Sequence, residues 1–271
     1  MKPTLEFLES LARQAGEILR ARQATGYRVE HKSLIDLVTD VDRQSEAFMI
    51  AEVQRNFPGH SIVAEESGGL AGDGVCDCGW YIDPLDGTVN YAHGVPYYSV
   101  SIAYAENGQV QLGVVYHPNL DECFSAERGR GAWLNGKPIH ASNPVDLDHS
   151  LLVTGFPYDV RTTTSNNLEN YARFARLSQG VRRLGSAALD CCYIACGRFD
   201  GYWEMSVKSY DIAAGALMPG QRMKEGDELI FLTSAPQCFY HHMQIERHHE
   251  WVGITHSDNE LPLQLIGLRS P

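Results

Sequence analysis

Apolar positions recur at helical spacing twice in the first sixty residues. Leu5, Leu8, Leu11, Ala12, Ala15, Ile18 and Leu19 share one face of a stretch from 4 to 23, the pattern of an amphipathic helix covering a core. Thr4, after Pro3, is placed to cap its start, and Gly26 lies beyond its end. Arg43 to Phe57 repeats the pattern through Ala47, Ile50, Val53 and Phe57, and Pro58-Gly59 ends it. Between them lies a strand-like apolar stretch around which Asp36, Thr39, Asp40 and Asp42 crowd. One of these caps the following helix, but four polar groups are more than one cap needs.

The period then shortens to two. Ser61-Ile62-Val63-Ala64 reads as a short strand running into Glu65-Glu66-Ser67, and a Gly-rich, turn-like passage (68–79) separates it from an apolar run at Trp80-Tyr81-Ile82. Such an excursion can bring Glu65 beside Asp83, both at strand ends on one edge. Tyr97–Tyr104 and Gln109–His117 flank Glu106-Asn107-Gly108, and Phe124–Glu127 and Gly131–Leu134 precede Asn135-Gly136. Asn-Gly between such runs is a hairpin signal. Asn143-Pro144 marks the boundary between two lobes, 1–145 and 146–271. The second opens with a strand at 151–156, continues with helical character at 168–177 and an apolar helix at 189–197, and returns to a strand at Phe199–Met205 carrying Glu204. Asp211 then opens a helix of small residues, Ile212 to Leu217. The predicted class is mixed α/β.

Composition narrows the function classes. Net charge is −12, from 34 acidic and 22 basic residues, a poor balance for gripping nucleic-acid phosphates. No stretch has the ~18 apolar residues of a membrane span, and Lys2 and Glu6 stand where a signal peptide needs an apolar run. A cytoplasmic protein with seven reduced cysteines is expected. Neither Cys76-Asp77-Cys78 nor Cys191-Cys192 has the spacing of common zinc sites.

An anion bound by so acidic a chain needs a local device, and bound cations supply one. Asp83-Pro84-Leu85-Asp86-Gly87-Thr88 offers it: two carboxylates three apart, a stiffening proline, and a Gly turn whose N–H groups suit a phosphate. Mg²⁺ takes oxygen ligands, commonly one or two carboxylates plus substrate phosphate. The same letters also spell an ordinary polar turn. Gly185-Ser186-Ala187-Ala188 likewise presents N–H groups at a helix start or packs small residues closely, and Asp211 caps a helix or faces a metal.

Asp36-Leu37-Val38-Thr39-x-x-Asp42, Glu65-Glu66-Ser67, Asp83-Pro84-Leu85-Asp86-Gly87-Thr88-x-Asn90 and Asp211-x-Ala213-Ala214-Gly215 together resemble the inositol monophosphatase family, in order and spacing, over roughly residues 1–218. The resemblance implies a layered αβαβα sandwich of the inositol monophosphatase and fructose-1,6-bisphosphatase type, with a mainly antiparallel first sheet and a mixed second one. It implies two to three Mg²⁺ ions: one held by Glu65, Asp83 and the Leu85 carbonyl, a second by Asp83, Asp86 and Asp211, a third near Glu65 through water. Gly87 and Thr88 are expected to meet the phosphate. Asp42 and the Thr88 hydroxyl are expected to orient and deprotonate the attacking water, with Glu65 supporting it through the metal. Asp86, Gly185, Ser186, Ala187 and Glu204 are expected on the alcohol side.

The implied activity is Mg²⁺-dependent hydrolysis of a phosphate monoester, most specifically inositol 1-phosphate, by direct attack of water, with Li⁺ sensitivity and a homodimer. The alternatives are broader specificity (sugar phosphates, fructose 1,6-bisphosphate, nucleotide 3′-phosphates) or a catalytically weak binding relative. After Met218 the family pattern stops: Pro219 to Asp227 and a tract with His241, His242, His248 and His249 replace it.

Overall fold

A computed structural model describes residues 2–32, 35–70, 72, 74, 77–144, 146–164 and 166–218, together with the backbone of three later strands. The histidine-rich tract lies outside the described residues.

The first helix, α1 (Leu5–Thr25), starts as its sequence predicts, with the Thr4 hydroxyl oxygen accepting the Phe7 N–H at 3.3 Å, and ends at Gly26. Strands β1 (Val29–His31) and β2 (Leu37–Thr39) form a small antiparallel pair before α2 (Asp40–Asn56). An eight-stranded sheet follows, built from β3 (Ser61–Ala64), β4 (Gly68–Leu70), β5 (Cys78–Asp86), β6 (Ser99–Glu106), β7 (Gln109–His117), β8 (Glu122–Glu127), β9 (Gly131–Leu134) and β10 (Lys137–Pro138). Its order is β10-β9-β8-β7-β6-β5-β3-β4, antiparallel except for the parallel β3–β5 pair. The helix α3 (Thr88–Ala92) sits in the β5–β6 connection.

The second sheet contains β11 (Leu151–Thr154), β12 (Gly180–Arg182) and β13 (Gly201–Met205), joined by β14 (Leu229–Thr233), β15 (Glu250–Gly253) and β16 (Gln264–Arg269). The β11–β12 and β11–β13 pairs are parallel and the others antiparallel. Three helices complete it: α4 (Leu168–Leu177), α5 (Ala187–Ala195) and α6 (Ser209–Leu217).

The layers follow from the period-two alternation. Val100, Ile102 and Tyr104 of β6 and Val114 and Tyr116 of β7 face a core shared with α1 and α2, through Leu8, Leu11, Val41 and Met49. Ala103, Val115, Phe124 and Ala126 face the other way, into a core shared with α5, α6 and the second sheet. With α4 beside β12 on the outside, the succession is the αβαβα sandwich that the resemblance implies.

Both Asn-Gly pairs are hairpin turns, with φ of 50° and 70° at Asn107-Gly108 and 49° and 74° at Asn135-Gly136, the left-handed pair that matches strand twist. The passage 68–79 holds more than turns, since β4 pairs back on β3. Cys123, Cys191, Cys192 and Cys196 are free thiols, but Cys78 is disulfide-bonded, which the reading of seven reduced cysteines did not expect. Among the described residues, no helix is long and apolar enough to cross a membrane.

Small side chains let α6 lie against β5, β6 and β7, with Ala213, Ala214 and Ala216 all buried. We expect Ala214→Leu to overpack this layer and lower stability by about 1–3 kcal/mol, read as a reduced urea midpoint at unchanged m. A wild-type midpoint would mean that α6 has room to move.

Candidate active site

Asp83 and Asp86 belong to one irregularity in β5. Asp83 pairs with Ser101 and Asp86 with Ser99, so the register to β6 shifts between them. In a regular strand, side chains three apart point to opposite faces; one extra residue cancels that parity. Both carboxylates therefore reach the same cavity. Pro84 occupies the bulge, where the ladder is already interrupted and its missing N–H leaves nothing unpaired. The turn after Asp86 needs glycine, because Gly87 has φ 98° and a Cβ there would meet the Gly185 and Tyr97 carbonyl oxygens at 3.1 Å.

Asp42 does two jobs with two oxygens. Thr39 caps α2, and Asp42, three residues on, accepts the Thr39 N–H (2.9 Å) and hydroxyl on Oδ2. Its Oδ1 accepts the Thr88 hydroxyl at 3.0 Å, a hydroxyl also 3.0 Å from the Leu85 carbonyl oxygen. Asp42 is thus part of the cap of α2 and at the same time a hydrogen-bond partner of Thr88. Burial raises the Asp42 carboxyl above its ordinary range, against the hydrogen bonds from Thr39 and Thr88.

Glu65 arrives where the parallel β3–β5 pair ends, its N–H donating to the Ile82 carbonyl at 3.2 Å. Its carboxyl bears on that of Asp83 and lies 3.3 Å from the Lys32 ammonium, which also holds Glu66 at 2.6 Å. The Glu65-Glu66-Ser67 turn is pinned from below by Glu46 of α2, whose carboxylate accepts the N–H groups of Glu66 and Ser67 at 2.8 Å.

The second half contributes through two helix starts and one strand. Asp86 accepts from the Ser186 hydroxyl (2.6 Å), the Ala188 N–H (2.7 Å) and the Ala187 N–H (3.3 Å), a negative group at the positive end of α5. Gly185, Ser186 and Ala187 line the cavity as well. Asn90 ties this corner to the Asp83–Thr88 turn, donating to the Tyr97 and Leu184 carbonyls at 2.8 and 2.7 Å. Asp211 lies in the first turn of α6, not at its cap, and accepts the Lys208 N–H at 2.6 Å. Glu204, on β13, accepts the Tyr202 hydroxyl at 2.7 Å.

These residues surround one cavity of about 390 Å³, lined by Glu65, Asp83, Leu85, Asp86, Gly87, Thr88, Gly185, Ser186, Ala187, Glu204 and Asp211. Asp42 is reached through Thr88. The wall carries eight carboxylates (Asp36, Glu65, Glu66, Asp83, Asp86, Asp190, Glu204, Asp211) against three cations (Lys32, Arg183, Lys208). Burial, then Glu65, Asp86 and Asp211, drive the Asp83 carboxyl well above the ordinary range. Burial pushes Glu65 up to about 7 against the pull of Lys32, Asp86 to about 6 and Glu204 to about 7. Among the described residues, no three His, Cys, Asp or Glu side chains are already gathered as closely as an ion would hold them; Asp83, Asp86, Glu204 and Asp211 each lean on a donor of the protein. The donor set is carboxylates and a backbone carbonyl, all hard oxygens, and the negative excess needs cationic charge, so the residues fit Mg²⁺.

Sequence reasoning passed over Glu46, Lys32, Asp190 and Arg183. Glu46 carried a usable signal: it lies one turn after Asp42 on the inward face of α2, with Ser45 and Met49, where a charge calls for a partner. Asp190 and Arg183 carried none, since α5 and the turn before it point to the cavity only once the sheets are assembled.

Comparison with known proteins agrees with this geometry. The model of the "Inositol monophosphatase family" matches residues 1–218. A Pseudomonas aeruginosa relative named "Nus factor SuhB" is 41% identical over 225 residues, 80% of this chain and 82% of the relative. The "Inositol-1-monophosphatase" of Synechocystis is 48% identical over 183 residues, 68% of this chain and 63% of the relative. The solved inositol monophosphatase of Anabaena superposes with a TM-score of 0.72 at 36% identity, over 97% of this chain and 89% of that one.

A carboxyl whose pKa is raised by folding stabilises the fold below its unfolded value, near pH 4, and loses that contribution as pH rises through the folded value. For Glu65 that loss runs from the ordinary carboxyl range up to about 7, where it is complete. In EDTA, the wild type should therefore be less stable at pH 8 than at pH 5, and Glu65→Gln should shrink the difference by on the order of 1–3 kcal/mol. Urea melts at both pH values read this directly, and an equal loss in the two proteins would contradict it.

Proposed function

The chain belongs to the inositol monophosphatase family and is a phosphomonoesterase, and we propose that it hydrolyses inositol 1-phosphate, with Mg²⁺, by direct attack of water. The observation that carries this reading is the cavity wall, with eight carboxylates against three cations beside a Thr88–Asp42 hydrogen bond of 3.0 Å. A phosphate dianion enters so negative a space only alongside divalent cations.

In this reading Glu65, Asp83 and the Leu85 carbonyl would hold one ion, Asp83, Asp86 and Asp211 would hold a second, and a third would lie near Glu65. Bound there, Mg²⁺ supplies Lewis-acid neutralisation of the phosphoryl oxygens and of the leaving alkoxide. The chain's own residues do the rest. Gly87 and Thr88 present N–H groups to the phosphate. The Thr88 hydroxyl accepts a hydrogen bond from the attacking water and passes its proton to Asp42 Oδ1; the raised basicity of that buried carboxylate suits it to the task. Glu65, one of the residues that would hold an ion, would also orient the water.

On the alcohol side, Glu204 accepts from a polyol hydroxyl, with Asp86, Gly185, Ser186 and Ala187 around it. The name of the Synechocystis relative favours inositol 1-phosphate over sugar phosphates, fructose 1,6-bisphosphate and nucleotide 3′-phosphates. The Pseudomonas relative's name, a Nus factor, favours the binding-module reading, but the complete carboxylate set favours catalysis. The proposal extends to two lobes, 1–145 and 146–271, a homodimer, sensitivity to Li⁺ and a place in the cytoplasm.

Phosphate release from a panel of monoesters, with and without Mg²⁺, tests the proposal. Excess EDTA should abolish hydrolysis and Mg²⁺ should restore it, with inositol 1-phosphate the best substrate of the panel; full activity in EDTA would overturn the mechanism. Removing the shared carboxylate in Asp83→Asn should lower kcat by about 10³-fold, the equivalent of several kcal/mol of transition-state stabilisation. A wild-type rate from that variant would refute the sharing of Asp83.

A further inference from the structure

Gly155 follows β11, where the chain turns away from the second sheet. A Cβ built on it would lie 1.9 Å from Oε1, 2.1 Å from Cδ and 2.3 Å from Oε2 of Glu204. The Glu204 carboxylate therefore occupies the volume that the side chain of any other residue would take, and both residues line the cavity.

The backbone on either side is fixed. The Gly155 carbonyl accepts the Asn167 side-chain amide at 2.7 Å, and the same amide donates to the Thr154 hydroxyl oxygen at 3.0 Å. The Asn167 carbonyl in turn accepts the Trp203 indole N–H at 2.7 Å. Thr154 also pairs with Trp203 in the parallel β11–β13 ladder. Thr154, Asn167 and Trp203 are all buried, so the corner at 155 and the strand that carries Glu204 are held as one unit. What can yield is the Glu204 carboxylate, the far end of a flexible side chain seated by the Tyr202 hydroxyl. Gly155 is not among the residues with positive φ, so alanine meets no backbone strain there.

We propose that Gly155 is a positioning residue that sets specificity: having no side chain, it lets the Glu204 carboxylate stand at the alcohol side of the cavity, and so favours phosphate esters of alcohols that carry further hydroxyls. The proposal rests on the reading of Glu204 as the acceptor for those hydroxyls. Gly155→Ala displaces the carboxylate without touching Asp42, Thr88 or the carboxylates proposed for the metals. The penalty falls on KM for the polyol ester and not on kcat.

The test compares kcat/KM for inositol 1-phosphate with that for p-nitrophenyl phosphate, whose leaving group has no further hydroxyl, in wild type, Gly155→Ala, Glu204→Ala and the double variant. Loss of a hydrogen bond to a charged group predicts that the ratio falls about tenfold in each single variant, through KM. Gly155→Ala should then add less than twofold in the Glu204→Ala background. An unchanged ratio in Glu204→Ala overturns the Glu204 reading and the proposal with it. A fall in Glu204→Ala without one in Gly155→Ala, or additive effects in the double variant, overturns the proposal alone. Should Gly155→Ala melt below the assay temperature, Glu204→Ala removes the group that its methyl meets and should restore the melting temperature; failure to restore it overturns the proposal equally.

Discussion

The arrangement of the site follows from one unfavourable interaction, the mutual repulsion of carboxylates that the fold carries into a shared, largely buried space. Glu65, Asp86 and Asp211 all bear on Asp83. They come from β3, from the far side of the β5 bulge and from α6, so no local segment creates the crowding and no local adjustment relieves it. Protons or cations must relieve it. The sheet and the helix layers bring the groups together at a price in stability. That price is why the site is a credible place for chemistry: a core gains nothing from four converging carboxylates.

The same residues are caught in ordinary structural duties, and those duties aim them. Four helix starts meet the cavity region. Thr39 and Asp42 form the capping box of α2, Gly87 precedes α3, Ser186 caps α5, and Asp211 lies in the first turn of α6. The starts of α2, α5 and α6 each offer N–H groups and a positive dipole end that a carboxylate satisfies. A carboxylate has two oxygens, and capping occupies one. In Asp42, Oδ2 is spent on Thr39 while Oδ1 faces Thr88. The question that the sequence poses at Asp42 and Asp211, cap or function, therefore has no single answer, because the cap fixes the orientation that the proposed chemistry uses.

Much of this was legible in the chain because it is local. The Asn-Gly turns, the Thr4 cap and the amphipathic face of α1 each rest on a handful of neighbouring residues. The approach of Glu65 to Asp83 was legible too, since a strand, an excursion and a second strand allow few arrangements. What escaped depends on partners distant in sequence. The strand β4 reads as a Gly-rich turn until β3 pairs with it. Glu46, a charge on the inward face of α2, has no partner in its own segment; the N–H groups of Glu66 and Ser67, twenty residues on, supply it. The bulge that turns Asp83 and Asp86 the same way is invisible without the β6 register.

That contrast also bears on how specificity can vary at such a site. In the proposed reading the phosphate end rests on two firmly anchored carboxylates: Asp42 accepts the N–H and hydroxyl of Thr39 and the hydroxyl of Thr88, and Asp86 takes three donors from the start of α5. The Glu204 carboxyl is held by the Tyr202 hydroxyl, and its seat exists because residue 155 lacks a side chain. A single methyl group at 155 would reshape the alcohol side and leave the anchored carboxylates where they are. Substitutions that displace Asp42 or Asp86 must break several hydrogen bonds at once, whereas one at 155 meets only a flexible side chain. A family with this layout can hold its chemistry constant while its substrates change.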